Sequence, residues 1–323
     1  MTTTFVTGIT GQDGTFLVDR LLADGAQVHG LVRAGDDGVA ALAQRHPGVV
    51  LHTGDLGDLD HLAGLVAEVA PDEVVNLAGI SSVAVSWAEP VLTARLSGLA
   101  VTALLEAAYA VQEATGRPVR FLQASSAEIF GQPEVEPQDE RTAIRPVNPY
   151  GAAKAFAHHQ TAVYRGRGLH AATAILFNHE SPLRPTTFVT RKITAAAAAI
   201  GRTGEGVIAL GNLDARRDWG WAPDYVDAML RALRHDVPDD FVVATGRTHS
   251  VRDFAEAALR RAGVGDDWER HVTVDPRFVR PADASTLVGD PSKAERELGW
   301  RRTVEFEEVV ARMVDHDLEL VEG

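Results

Sequence analysis

Three glycines spaced three apart, Gly8, Gly11 and Gly14, follow directly on the apolar run Phe5-Val6 and open a helical stretch. A loop stripped of side chains at that point lets the backbone N–H groups of a helix N-terminus approach an anion, as dinucleotide pyrophosphates require. The rhythm then continues. Short, largely apolar runs at 4–7, 27–32, 49–52, 73–78, 121–125 and 172–177, several of them β-branched, alternate with helical patterns at 15–23, 59–70, 91–114 and 150–164. Strands separated by helices predict an α/β fold built on a doubly wound parallel (Rossmann) sheet. Beyond Asn178 the pattern breaks into loops rich in Gly, Pro and Arg, with a helix near 191–200, a late strand at 242–245 and a helix at 291–298. The expected division is a dinucleotide-binding domain over 1–177 plus about 216–246, and a smaller C-terminal substrate-binding lobe over 178–215 plus 247–323.

Composition narrows the function classes. The 323 residues, 45% apolar and 24% charged, suffice for a sizeable core. With 31 basic against 45 acidic residues the net charge is −14, so neither nucleic acid nor an anionic membrane is an expected partner. An anionic ligand has to be met by local Arg and Lys. The absence of cysteine excludes disulfides and thiolate chemistry, and no metal site is expected. No basic leader and no run of about 18 strongly apolar residues is apparent, so a soluble, cytoplasmic enzyme is the expectation.

Chemistry concentrates in the middle of the chain. Tyr150 and Lys154 stand four apart on the predicted helix and share a face, with Pro149 in its first turn. The ammonium is expected to lower the phenol's pKa, making Tyr150 a base for a hydroxyl whose carbon loses hydride to a nicotinamide. Ser126 lies just past the fifth strand, where a doubly wound sheet places its ligand crevice, and could bond the same substrate oxygen. Glu128, two residues on, could remove a proton from a carbon next to a ketone. Arg33, after the second strand, favours a ribose 2′-phosphate and hence NADP, with NAD possible because Asp36 and Asp37 follow closely. Asp55-Leu56, after the third strand, is placed to meet adenine.

These residues resemble the extended short-chain dehydrogenase/reductase family and, within it, the GDP-mannose 4,6-dehydratases. The specific stretches are 7–14, 123–126, 176–182, 188–193, 211–214, 217–220 and 287–293. Gln12-Asp13 inside the glycine loop and the run Asn178-His179-Glu180-Ser181-Pro182 set this group apart from the broader epimerases. The resemblance implies a catalytic set of Ser126, Glu128, Tyr150 and Lys154. It implies cofactor contacts at Gly8, Thr10, Gly11, Gln12, Asp13, Gly14, Arg33, Asp55, Leu56, Leu77, Ala78, Ser81, Lys154, His179 and Arg184. Sugar-nucleotide contacts, with a GDP-linked hexose expected, are implied at Ser86, Asn178, Lys192, Arg217, Arg280 and Asp283.

Three departures qualify the likeness. Ala127 stands where the family usually has Ser, so elimination would lean on Glu128 as both base and acid. The Arg-rich loop after Arg33 is shortened to Ala34-Gly35-Asp36-Asp37-Gly38, which points to a homodimer rather than a tetramer. Trp221 and Ser82 replace His residues common at their positions. The competing readings are a sugar-nucleotide 4-epimerase, a 4-keto-6-deoxy sugar reductase consuming NADPH, and a silent nucleotide-binding regulator, which would need neither Tyr150, Lys154 nor Glu128.

Overall fold

The computed structural model describes residues 1–278 and 286–322. Along the chain run β1 (Thr3–Thr7), α1 (Gln12–Ala23), β2 (Gln27–Val32), α2 (Gly38–Arg45), β3 (Val50–Thr53), α3 (Leu59–Val69), β4 (Glu73–Asn76) and α4 (Val83–Ala88). There follow α5 (Pro90–Thr115), β5 (Arg120–Ala124), α6 (Pro149–Gly166), β6 (His170–Leu176), α7 (Val189–Thr203), α8 (Ala222–Arg234) and β7 (Asp240–Val243). The chain ends through α9 (Val251–Arg261), α10 (Ser292–Glu297) and α11 (Phe306–Glu322).

The seven strands form one sheet in the order β7-β6-β5-β4-β1-β2-β3, parallel throughout. The order reverses between β1 and β4, and such a switch point opens a crevice beyond the carboxyl ends of the strands. A buried polar row fixes the register there. Thr7 Oγ1 donates to Asn76 Oδ1 at 2.6 Å, and Asn76 Nδ2 donates to Gln123 Oε1 at 2.8 Å, across β1, β4 and β5. A one-residue slip would bury all three unpaired. At the opposite end Glu73 accepts from Thr4 Oγ1 and from Arg234 of α8.

One side of the sheet packs on α1 and α8, and the other on α3 and α5. A third core joins α7, α9 and α11 around Trp219, Phe254 and Phe306. Packing does not divide the chain where the sequence suggested. Leu287, Ala294, Leu298 and Trp300, expected in the smaller lobe, bury into the sheet's first core, and Trp300 Nε1 donates to the Asp224 carbonyl at 2.7 Å. Conversely Trp219 belongs to the third core.

The expected helix over 91–114 is α5, but its residues Arg95–Leu99 form a π-helical turn. The extra residue aims Ser97 Oγ at the loop after β4, where it accepts from the Ile80 N–H at 3.0 Å. Arg95 meanwhile grips the Gly57 carbonyl through Nε and Nη2. Such bulges often mark functional regions. By length and composition α5 could cross a membrane, but half of its apolar window is buried inside the fold.

Candidate active site

The glycine loop has the form a pyrophosphate needs. Gly8 adopts φ +72°, and a Cβ there would meet the Ala78 amide nitrogen at 2.9 Å, so the loop lies against the Leu77-Ala78 end of β4. A Cβ at Gly14 would sit 2.3 Å from the Gly8 carbonyl oxygen. Only glycine permits helix α1 to start this close to the strand, with its first N–H groups open to an anion. The residues present therefore fit a dinucleotide. Thr10 Oγ1 donates to Asp36 Oδ2 at 2.8 Å, tying the glycine loop to the turn after β2.

The two sequence runs that set this group apart prove to be halves of one network. Gln12 Nε2 donates to the His179 carbonyl at 3.1 Å, while Ser181 Oγ donates to Gln12 Oε1 at 2.8 Å. His179 Nε2 faces Asp13 Oδ2 at 2.9 Å and its Nδ1 faces the Phe177 carbonyl at 2.7 Å. Arg184 closes the assembly on Glu180 (2.8 Å) and on the His179 carbonyl. Burial acts to raise the Asp13 carboxyl, but His179 and Arg184 hold it below the usual carboxylate range.

Beyond β5 the chain turns through Ser126 into a short helical turn, Ala127–Ile129. Ser126 Oγ accepts from the Glu128 N–H at 3.2 Å. Asn148 caps α6, its Oδ1 accepting from the Gly151 N–H at 2.8 Å, and Pro149 occupies the first turn. The helix seats tightly on the Glu128 turn, since a Cβ at Gly151 would meet the Glu128 carbonyl oxygen at 2.4 Å. Ser126, Glu128, Tyr150 and Lys154 are thus brought together at the carboxyl end of β5, with Glu128 half-buried and Tyr150 buried.

The electrostatics differ from the sequence expectation. Burial pushes the Tyr150 phenol up to about 12; a hydrogen bond with Ser126 and the Arg184 charge act in the opposite sense, and the Glu128 charge adds to the rise. The Lys154 ammonium is turned to the end of β5. Its Nζ donates to the Ala124 carbonyl at 2.7 Å and lies 5.9 Å from the Tyr150 ring centre. Burial lowers the ammonium to about 8, with Asp13 opposing. Ser126 and Arg184 therefore favour the ionised phenol where the i, i+4 spacing suggested Lys154.

The remaining candidates scatter more widely. Leu77 and Ala78 border the glycine loop, and Ser81 is exposed on the adjoining turn. Arg33 is exposed at the end of β2. Asp55 Oδ1 accepts from the Gly57 N–H at 2.7 Å, an Asx turn, and Leu56 is buried in the second core. Asn178 is exposed after β6. Lys192 Nζ donates to the Ala209 carbonyl at 2.6 Å and lies 3.6 Å over the Phe278 ring. Arg217 is buried and donates to the Arg216 carbonyl. Ser86 does not reach the crevice surface: it is fully buried, its hydroxyl given to Val83 O at 2.7 Å. Arg280 and Asp283 lie outside the described residues.

Both residues of the third departure have structural roles. Ser82 caps α4 by accepting from Val85 N–H, and Trp221 stacks under Arg312 of α11 at 4.9 Å. Sequence reasoning missed Asn148, whose Nδ2 donates to Glu128 Oε2 at 2.8 Å. An Asn directly before Pro at a helix start was the available signal.

Strand order, glycine cradle and the serine–carboxylate–phenol–lysine cluster together define a Rossmann-type enzyme of short-chain dehydrogenase/reductase architecture. The family model for GDP-mannose 4,6 dehydratase matches residues 5–313. The chain is 44% identical over 325 residues to GDP-mannose 4,6 dehydratase 1 of Arabidopsis thaliana, covering 98% of this chain and 89% of that one. It is 39% identical to the GDP-mannose 4,6-dehydratase of Vibrio cholerae, over 98% and 94% of the two chains. Among solved structures, UDP-glucose 4-epimerase of Thermus thermophilus in complex with NAD superposes with a TM-score of 0.83 at 28% identity, covering 98% of each chain. dTDP-glucose 4,6-dehydratase of Bacillus anthracis shares the fold at a TM-score of 0.83 and 18% identity, over 100% of this chain and 98% of that one. The chain belongs to the GDP-mannose 4,6-dehydratase family.

Proposed function

We propose that this protein converts GDP-mannose to GDP-4-keto-6-deoxymannose. The observation that carries the reading is the convergence of a phenol, a serine hydroxyl and a carboxylate on one crevice beside the glycine loop. A nicotinamide dinucleotide held by the glycine loop at Gly8, Gly11 and Gly14 would supply the hydride acceptor for C4 and the hydride donor for C6. Tyr150, assisted by Ser126, takes the C4 hydroxyl proton. The resulting ketone acidifies C5, and Glu128 removes that proton. Ala127 offers no hydroxyl, so Glu128 itself passes the proton to the departing C6 oxygen, which leaves as water. Clamping the substrate through the sequence of steps falls to cations around the diphosphate, for which Lys192 and Arg217 stand on neighbouring elements.

NADP is the proposed cofactor. Arg33 is exposed at the tip of β2, and the nearby Asp36 carboxylate is already engaged by Thr10 Oγ1 and the Gly38 N–H, which lessens its repulsion of a 2′-phosphate. NAD(P)-dependent relatives support the coarser assignment of a nicotinamide: the Thermus epimerase structure holds NAD, and an RMD structure from Pseudomonas aeruginosa holds NADPH.

The proposed assembly is a homodimer. Val91, Leu92 and Leu99 on α5 and Phe156 and Val163 on the adjoining α6 are exposed, at spacings that place each set on one helix face. A second copy would cover this apolar surface. Sedimentation at micromolar concentration is expected to give twice the 34.6 kDa chain mass; a single-chain mass would refute the dimer.

Mass analysis of products decides the reaction. Supplied with GDP-mannose and NADP but no reductant, the protein is expected to yield a product lighter by one water. A product of unchanged mass would make it an epimerase, and stoichiometric consumption of NADPH a reductase.

A further inference from the structure

Asn148 occupies a position that joins the two halves of the catalytic cluster. It is buried, and its amide has two partners of opposite kind. The backbone N–H of Gly151 can only donate, so the atom facing it at 2.8 Å is the carbonyl oxygen Oδ1. That fixes the amide's orientation and turns Nδ2 toward Glu128 Oε2, also at 2.8 Å. One side chain thus caps the helix bearing Tyr150 and Lys154 and holds the carboxylate on the facing turn.

We infer that Asn148 is a positioning residue for Glu128, supplying the hydrogen bond that aims the carboxylate at the substrate. Among the described residues, the Asn148 amide is the hydrogen-bond partner recorded for the Glu128 carboxylate. Ala127, next to it in the chain, brings none. A three-bond side chain on a half-buried turn otherwise samples several rotamers. With Oε2 occupied by an amide donor, Oε1 is left as the oxygen that takes the C5 proton. The C5–H electron pair then forms the C5–C6 double bond as the C6–O bond breaks. Glu128 gives the same proton to the leaving oxygen and ends the step ionised.

The inference rests on the dehydratase reading, and the experiment separates the two. Wild-type protein is first given GDP-mannose and NADP; no loss of water there would overturn the function, whatever Asn148 does. Given wild-type turnover, Asn148→Ser and Asn148→Asp are compared, both residues being good helix caps, with C5-deuterated GDP-mannose as a second substrate. Asn148→Ser keeps the cap and replaces the amide donor with a hydroxyl one bond nearer the backbone, drawn back from Glu128 Oε2. Its kcat is expected to fall about 10–30-fold with KM within about threefold and with an enlarged C5 deuterium isotope effect, because proton removal has become slower. Asn148→Asp sets an acceptor against the carboxylate and is expected to lose more, about 100-fold. Thermal unfolding of both variants should stay within a few degrees of wild type. Unchanged kcat in both variants would overturn the inference. So would a loss of kcat that tracks the melting temperature while the isotope effect stays at its wild-type value, since the amide would then serve only as a cap.

Discussion

Replacing Glu128 by Gln is expected to lower water loss by about 10³-fold while leaving binding of sugar nucleotide and cofactor within about threefold of wild type. The amide is nearly isosteric and can still accept from Asn148 Nδ2, so the turn from Ser126 to Ile129 should keep its shape. What disappears is a group that can hold a proton removed from C5. Oxidation at C4 uses Tyr150 and Ser126, which the change leaves in place, so early chemistry should outlast elimination. Two readings separate these steps: product mass reports loss of water, and washout of label from C5-deuterated substrate reports proton removal. Full retention of washout in Glu128→Gln would assign the base to another group and leave Glu128 without a chemical role.

The second large effect concerns the fold. Asp218 is fully buried just after the short strand Arg216–Arg217. Its Oδ1 accepts from the Thr245 N–H at 2.8 Å and Thr245 Oγ1 at 2.7 Å, and its Oδ2 from the Gly246 N–H at 2.9 Å and the Gly289 N–H at 3.4 Å. One carboxylate therefore joins three segments distant in sequence at the carboxyl end of β7. Asp218→Ala would leave buried donors without partners, at a cost of about 3–5 kcal/mol by urea denaturation, a large share of a typical domain's stability. The pH dependence has a defined sign. Burial raises this carboxyl from 3.8 to about 6 in the folded protein. Between those values the unfolded chain releases its proton first, so wild-type stability from this group falls as pH rises, by up to about 3 kcal/mol. The alanine variant lacks that slope, and the gap between the two proteins should be widest near pH 4 and narrow to its final value above pH 6. A variant within about 1 kcal/mol of wild type at both pH 5 and pH 7.5 would remove Asp218 from this joint.

The sheet was readable because β1 to β6 are short, largely apolar runs separated by helical patterns and turn residues, and each falls within a few residues of its expected place. The π-turn in α5 was not readable, since one inserted residue leaves the apolar spacing of a long helix almost unchanged. Helices α8, α9 and α11 were passed over because the loops between them obscure the period, though each buries an apolar stripe in the fold. Tyr150, Lys154, Ser126 and Glu128 lie near one another and near Asp13 of the glycine loop. Their electrostatics were not readable: spacing alone pairs Lys154 with Tyr150, whereas the Ala124 carbonyl at the end of β5 claims the ammonium. Asn148 and Glu128 are twenty residues apart, and no periodicity links a helix cap to a facing turn.

The interlock of Gln12 and Asp13 with His179 and Ser181 spans more than 160 positions of chain. Anyone transplanting the glycine loop into a related scaffold would carry over an acid and an amide whose counterparts stay behind. Each would then be enclosed without its mate. The two runs form a single structural unit, and a chimaera that keeps cofactor affinity is expected to need both exchanged at once.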